Sequence, residues 1–400
     1  MAARVQTNEP GLHRAQVVIV GGGVIGAAIA CFLARDHGTG VTVLERDPTY
    51  ARASSALSAA SIRQQFSTPV NIALSQWSLA FLRRAGDELA VGGDRPHVGL
   101  TLPGYLYLAT AQGQAALREN QRVQRAHGAS IELLTPQQLG ARFPWLAAGD
   151  LALGSLGAGS EGWFDGPALM FALRKKAIAC GARFVQADVQ GFESTGDRVV
   201  AALARDGERF ACDALAIAAG AWSAPLVARL GTEVPVRPKK RDVFVLRSPA
   251  VLPDCPLVID PSGVWFRPEG SGYIAGAPPR GDDADEAPLD AIDHALFDDV
   301  IWPALASRVP AFEALRVASA WAGYYEMNCF DHNGLAGALP GWRNAHLACG
   351  FSGHGLQHAP AIGCAIAHRI ATGEDGGIDL APLDVRRIAE GLRLVERNVI

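Results

Sequence analysis

Apolar and polar positions follow two rhythms along the chain, and the first change between them is the most informative. Residues 16–20 (QVVIV) form a short apolar run suited to a buried parallel strand. The stretch VIGAAIACFLARD is apolar for long enough to predict a helix, and VTVLE after it predicts a second strand ending at Glu45. Small residues over 51–61 read as a loop entering a helix N-terminus, and an amphipathic helix is expected over 69–89. GYLYLAT (104–110) alternates like a strand. Thr135, Pro136 and Gln138 form a capping box with proline at the first helical position, and Asp165 with Pro167 repeats that start signal before ALMFALRKKAIACGA.

Beyond residue 183 the pattern shortens to strands. VVAALARDGERFAC predicts a hairpin about Asp206-Gly207, and ALAIAAGAWS (214–223) a buried strand running into a turn and a helix. VFVLRS and GVWFRPEGSGYIAGA read as antiparallel strands. Residues 282–293 are acidic, a solvated loop before a helix over 294–308. AHLACG, FSGHG and LQHAPAIGCAIAHRIATG give a last strand, turn and helix. The order predicts an α/β nucleotide-binding domain interrupted by insertions that build a second, mainly antiparallel α+β domain, with a pocket between them.

Glycines 21, 23 and 26 turn the first strand–helix junction into G-x-G-x-x-G, and Glu45 stands nineteen positions after Gly26. The first glycine permits the tight turn, the second lets backbone approach a pyrophosphate, and the third lets helix pack on strand. The helix N-terminus adds unpaired N–H groups and partial positive charge, and Glu45 can accept from a ribose. The glycines alone are a weak signal. In strand–turn–helix context with the acid in place they point to a dinucleotide, against a plain glycine-rich turn in an ordinary α/β fold.

Composition narrows the field further. Of 400 residues 49% are hydrophobic and 19% charged, which excludes a disordered chain, and a net charge of -4 gives nucleic acid no support. The basic run Arg237, Lys239, Lys240, Arg241 reads as a polar strand face. Seven cysteines without C-x-x-C spacing point to a reducing compartment. No apolar run is long enough to span a membrane, and the first fifteen residues read as a frayed tail with no secretory h-region. A cytoplasmic protein is the expectation, with peripheral attachment to an inner membrane left open. His354 and His358 are four apart but lack the zincin glutamate, so no metal is expected.

VVIVGGGVIG, IAAGAWS and ACGFSGHGLQHAPAIG resemble the three FAD-contact segments of the D-amino-acid oxidase/sarcosine oxidase superfamily, a glycine oxidase-like family. The resemblance runs over about 17–378. Through ERDPTYARASSALS, SIRQQFSTP, EGWFD, SAWAGYYE and GFSGHGLQ it is strongest to the FAD-dependent oxidoreductase domain-containing protein 1 group, whose eukaryotic members are tied to respiratory complex I assembly. It implies a Rossmann-like FAD-binding domain of glutathione reductase type (14–90, 161–233 and 326–400) with an inserted substrate domain (91–160 and 234–325).

The same resemblance assigns residues. Gly21, Gly23 and Gly26, with Val24 and Ile25, would cradle the pyrophosphate; Glu45 would meet the ribose, and Arg46 and Val189 the adenine. Ser54, Ser55 and Ser61 would approach the phosphate and ribityl chain. Ala219, Gly220 and Trp222 would pass beneath the cofactor. Gly350, Gly353, His354, Gly355, Leu356 and Gln357 would open the last helix toward the flavin. It implies hydride transfer to flavin N5 from the carbon beside an amine, giving an imine that hydrolyses, with a small amine or (N-methyl or D-) amino acid as substrate. Arg63 would hold the substrate carboxylate, its alternative being a surface arginine at a helix start. His354 would sit beside the flavin or only shape the turn. Tyr324 and Tyr325 would line the pocket or the core, and Arg267 the pocket or merely the hairpin.

Four departures qualify the likeness. Tyr324 and Tyr325 stand where glycine oxidases carry an arginine, and Gln357 where sarcosine oxidase has a lysine. Ile274 replaces the oxygen-activating lysine, which favours a quinone or carrier over oxygen as electron acceptor. Cys329 is displaced from the flavin-linking position, so noncovalent FAD is expected. A partner-binding assembly factor, a 2-hydroxy acid dehydrogenase on the same fold and an NAD-only enzyme remain alternatives. Homo-oligomerisation stays open.

Overall fold

Two eight-stranded sheets organise the molecule. The structure is a computed structural model and describes residues 12–281 and 283–397. In the first sheet the order is Leu335–Ala338, Ala345–Cys349, Arg209–Ile217, Leu12–Val20, Val41–Glu45, Arg183–Gln186, and the hairpin strands Val189–Thr195 and Arg198–Ala204 join through Arg209–Ile217. The central pairings are parallel: Val18 stands opposite both Leu215 and Thr42. Parallel strands need covered faces, and their near-continuous apolar sequence reflects it. Helix Val24–His37 is buried from Val24 through Ala34, held between the sheet and helices Gly166–Ala179 and Gly355–Thr372. Its crossing with the last helix is tight: a Cβ at Gly363 would come 2.4 Å from the Cβ of Ala28.

The second sheet runs Arg316–Asn328, Val236–Arg247, Gly272–Gly276, Trp265–Glu269, Leu257–Ile259, Tyr105–Ala109, Leu153–Leu156, Glu132–Leu134. Its spine is one long antiparallel pair, registered from Val236 opposite Asn328 to Arg247 opposite Arg316. Phe244, Phe266, Tyr273 and Phe312 fill the core on its outer face. Strand Tyr105–Ala109 is buried on both faces, and its alternation sorts Leu106 and Leu108 into that core and Tyr105 and Tyr107 into a separate cluster.

Local signals fare well. Thr135 and Gln138 make the reciprocal capping box, Asp165 caps Gly166–Ala179 through the Ala168 N–H at 2.8 Å, and the Asp206-Gly207 hairpin forms. The expected helix over 69–89 breaks at Arg84 into Pro69–Arg83 and Ala85–Glu88. The first strand starts earlier than its apolar run: residues 12–15 pair with Arg209, Phe210, Ala211 and Cys212, because a neighbouring strand offers ladder partners that side-chain pattern does not reveal. The rest of the expected frayed tail lies outside the described residues. The acidic segment is largely exposed, as expected, but it is tethered. Asp283 and Asp285 pair with Arg241 and Lys239, so charge complementarity folds it back onto the long strand. No helix among the described residues is long and apolar enough to cross a membrane, and no metal-ligating cluster occurs among them.

Candidate active site

A cavity of about 690 Å³ runs from the first glycine turn to the inner face of the second sheet, within the roughly 300–1,000 Å³ typical of ligand sites. At its first end the backbone does the shaping. Gly21 has φ +100° and a Cβ there would lie 2.4 Å from the Ala218 carbonyl oxygen; at Gly26 it would lie 1.9 Å from the Gly21 carbonyl oxygen. Gly26 therefore serves helix packing and does not line the cavity, whereas Gly21, Gly23, Val24 and Ile25 do. Ser55 accepts from the Val24 N–H at 3.0 Å, tying the 54–57 turn to the helix start, and Ser54 and Ser61 join it on the wall.

Glu45 accepts from the Gly22 N–H (2.7 Å) and the Asp47 N–H (2.9 Å). Each oxygen keeps a second acceptor site, so a ribose hydroxyl can be held without displacing either. Arg46 lies over the Trp222 ring at 3.9 Å, and Val189, Ala219 and Gly220 complete this end. At the start of helix Gly355–Thr372, the turn residue Gly353 and helix residues Gly355, Leu356 and Gln357 line the wall. Gly350 does not; a Cβ there would meet Val236 at 2.9 Å, so its role is close packing.

The structure brings Arg63 and His354 together, but behind the wall. Arg63 is buried, with its guanidinium 3.0 Å from His354 Nε2, 2.5 Å from the Gln65 carbonyl oxygen and over the Phe66 ring at 4.1 Å. A guanidinium only donates, so Nε2 accepts and the proton of His354 sits on Nδ1. Burial, then Arg63, holds the His354 pKa well below its ordinary value, so it stays neutral. Neither residue lines the cavity, which corrects both the substrate-binding expectation for Arg63 and its surface alternative: an always-charged group here is satisfied by internal partners. Glu161 lies in the same layer, accepting from Gln64 and Gln65, and burial pushes its pKa up to about 7.

Arg267 also leaves the main cavity. It donates to the Ala59 carbonyl at 2.8 Å, pairs with Glu269, lies over Trp163 at 5.0 Å and faces a second, shallower depression. It does more than hold the hairpin: its strand neighbour Glu269 supplies the counter-charge, and its bond to Ala59 ties the 51–61 loop to the strand.

The second end is made of side chains. Tyr105, Trp265, Tyr324 and Tyr325 line it together with Arg241 and, where it meets the first end beside Gly220, Glu326. Tyr324 donates to the Ala287 carbonyl at 2.8 Å. Arg241 lies 5.2 Å from the Tyr325 ring centroid and grips Asp283 with two bonds of 3.0 Å. Glu326 is buried beside Gly220 and Gly355; Oε1 accepts from the Phe351 N–H at 3.4 Å while Oε2 has no hydrogen-bond partner among the described residues. Burial pushes its pKa up to about 7. Sequence reasoning missed Arg241, Glu326 and Tyr105. The one available signal was Glu326 itself, a lone acid in the apolar-aromatic run WAGYYEM.

An elongated cavity with a glycine-backbone cradle at one end, an acid placed for a ribose and the start of a long helix on its wall fits an extended dinucleotide. Residues 16–369 match the DAO family, FAD dependent oxidoreductase. The chain belongs to this family of FAD-dependent oxidoreductases. It is 41% identical to the FAD-dependent oxidoreductase domain-containing protein 1 of Xenopus laevis, over 97% of this chain and 85% of that protein. It superposes on L-proline dehydrogenase from P. horikoshii with a TM-score of 0.85 at 24% identity, covering 95% and 99% of the two chains. Glycine oxidase from Geobacillus kaustophilus superposes with a TM-score of 0.78 at 27% identity, covering 93% and 98%. The cofactor is FAD, and the cradle residues named above are those that fit it.

Proposed function

We propose that this flavoprotein oxidises the C–N bond of a small secondary or N-methylated amino acid. The observation that carries the reading is the single cavity joining the dinucleotide cradle to an aromatic chamber with one arginine from the second sheet. A carboxylate-bearing amine needs such a cation for orientation and aromatic walls to exclude water. The likeness to glycine oxidase supports an amino-acid substrate.

Bound FAD supplies a two-electron acceptor for hydride. Loss of hydride from the carbon beside a neutral amine nitrogen leaves an iminium; water adds to its carbon, a proton departs and the C–N bond breaks to give an amine and a carbonyl compound. The chain's part is positional. Tyr105, Trp265, Tyr324 and Tyr325 wall the chamber, and Arg241 orients the carboxylate. His354 takes no proton from substrate, since it lies behind the wall with Nε2 engaged by Arg63. Neither cavity has a lysine among its lining residues, and Ile274 faces the second depression, which supports a dehydrogenase passing electrons to a quinone or carrier. Cys329 lies outside the cavity wall, in keeping with noncovalent FAD.

Anaerobic mixing of the FAD-loaded protein with sarcosine, dimethylglycine, proline, D-amino acids and 2-hydroxy acids tests the reading by flavin absorbance. Bleaching by a secondary or N-methylated amino acid is expected. Bleaching by hydroxy acids alone, or by none of the panel, overturns it.

A further inference from the structure

A short strap, residues 283–287, is tied to three residues of the cavity wall, Arg241, Tyr324 and Trp222. The Glu286 N–H donates to the Pro238 carbonyl at 2.8 Å, Tyr324 donates to the Ala287 carbonyl at 2.8 Å, and Asp285 pairs with Lys239 at 2.8 Å. Trp222 Nε1 reaches Glu286 at 3.5 Å. The most specific contact is the fork of Arg241, whose two terminal nitrogens each meet one oxygen of Asp283 at 3.0 Å. Arg241 lines the cavity and is the one cation that the second sheet contributes to that lining.

A guanidinium fork satisfies one carboxylate at a time in this geometry. The cation best placed to receive a carboxylate inside the chamber is therefore already holding one that belongs to the chain. We propose that Asp283 is a built-in stand-in for the substrate carboxylate: it occupies Arg241 in the resting protein and yields it to the incoming amino acid as the strap lifts. The inference rests on the function proposed above and names the residue that recognises the carboxylate.

The energetics allow the exchange. The Arg241–Asp283 pair is partly wet, with side-chain exposures of 16% and 31%, and such pairs contribute little net stability. A substrate carboxylate enclosed by Tyr105, Tyr324 and Tyr325 meets the same cation with less water about it, where the attraction is stronger. Asp283 on release finds solvent and the neighbouring Lys239 ammonium, which already donates to the Asp283 carbonyl. Arg52 also lines the cavity but donates to the Tyr324 hydroxyl at 3.3 Å and lies 3.9 Å from Glu286, and Arg63 is committed to His354 and the Gln65 carbonyl behind the wall.

The test titrates FAD-loaded protein with pyrrole-2-carboxylate and, separately, with uncharged pyrrole, following the flavin absorbance. The wild type is expected to respond to the carboxylate far more strongly than to pyrrole. Arg241→Met is expected to raise the pyrrole-2-carboxylate Kd by about 10- to 100-fold, the loss of a charge-assisted pair, with FAD content unchanged. Arg241→Lys, which keeps the charge and loses the fork, falls between. Asp283→Asn, which removes the competitor, is expected to lower Kd by about two- to fivefold. The proposal is overturned if Arg241→Met leaves Kd unchanged, if Asp283→Asn leaves it unchanged or raises it, or if neither wild type nor Asp283→Asn responds to the carboxylate. Protein that behaves as expected here yet is bleached by no amino acid contradicts the reaction and not the exchange; bleaching with no Arg241 effect contradicts the exchange alone.

Discussion

The two ends of the cavity are built from different material. At the cradle, backbone does the shaping: Gly21 and Gly23 leave room, and Gly26 lets the helix come so close that a methyl group would strike the Gly21 carbonyl. At the chamber, side chains from distant parts of the chain converge: Tyr105, Arg241 and Glu326 come from strands paired over long separations. A backbone-defined site tolerates no added atom. A side-chain-defined site tolerates substitution and changes its preference instead, which is how one family can keep a cofactor and vary a substrate.

The sharpest way to break the comparison is at the cradle. Gly26→Ala is expected to cost fold and flavin together, because strand and helix must separate to seat the new methyl; overpacking of this kind costs about 1–3 kcal/mol or more. Thermal unfolding and the flavin-to-protein absorbance ratio should both fall. A Cβ at Gly23 would meet only the Ser55 hydroxyl, at 3.2 Å, so Gly23→Ala is expected to leave cooperative unfolding intact while yielding nearly colourless protein. Retained colour would contradict the cradle.

Next in size is Arg63→Met. Removing a buried cation takes a donor from His354 Nε2 and from the Gln65 carbonyl, and takes its favourable charge from the nearby Glu161 carboxyl. A loss of about 3 kcal/mol in unfolding free energy is expected. The affinity for pyrrole-2-carboxylate in protein that does fold should change little. A large affinity loss without a stability loss would move Arg63 back into the chamber.

A smaller effect tests Glu326 through pH. Its folded pKa of about 7 lies above its ordinary carboxyl value of 4.5, so the folded protein binds the extra proton between those values and the stability this lends is lost as pH rises through 7. His346 and His358 work in the opposite sense: burial lowers them to about 4 and about 3, so the folded state loses stability as pH falls from 6.5. Glu326→Gln cannot ionise. Its stability relative to wild type should therefore rise by up to a few kcal/mol between about pH 5 and about pH 8. A difference that stays flat with pH would show that Glu326 does not titrate in that range. Smallest of all, Arg46→Ala removes the stack on Trp222 and is expected to weaken FAD by about two- to fivefold.

Legibility in the sequence followed the same divide. The first strand, helix and acid, the capping box at Thr135, the Asp165 N-cap and the Asp206-Gly207 hairpin depend on neighbours in sequence, and their patterns announced them. Arg241 looked like one of four cations on a polar strand face. Its place in the cavity depends on the pairing that sets it opposite Gly323, a register no local pattern encodes. Arg63 failed in the reverse direction: its position after the small-residue loop was right for a ligand, but Phe66, Gln65 and His354 enclose it. The acidic segment read as solvated and is largely exposed; its tether was not legible because its partners Lys239 and Arg241 lie about forty residues away in sequence.

The central claim is that one cavity holds FAD at the glycine end and a substrate carboxylate at Arg241. A crystal structure of the protein with FAD and pyrrole-2-carboxylate tests it most directly. The account predicts the FAD pyrophosphate against Gly21 and Gly23, the ligand carboxylate within hydrogen-bond distance of both terminal nitrogens of Arg241, and Asp283 withdrawn from them. A carboxylate seated on another cation, with Asp283 still paired to Arg241, would contradict it.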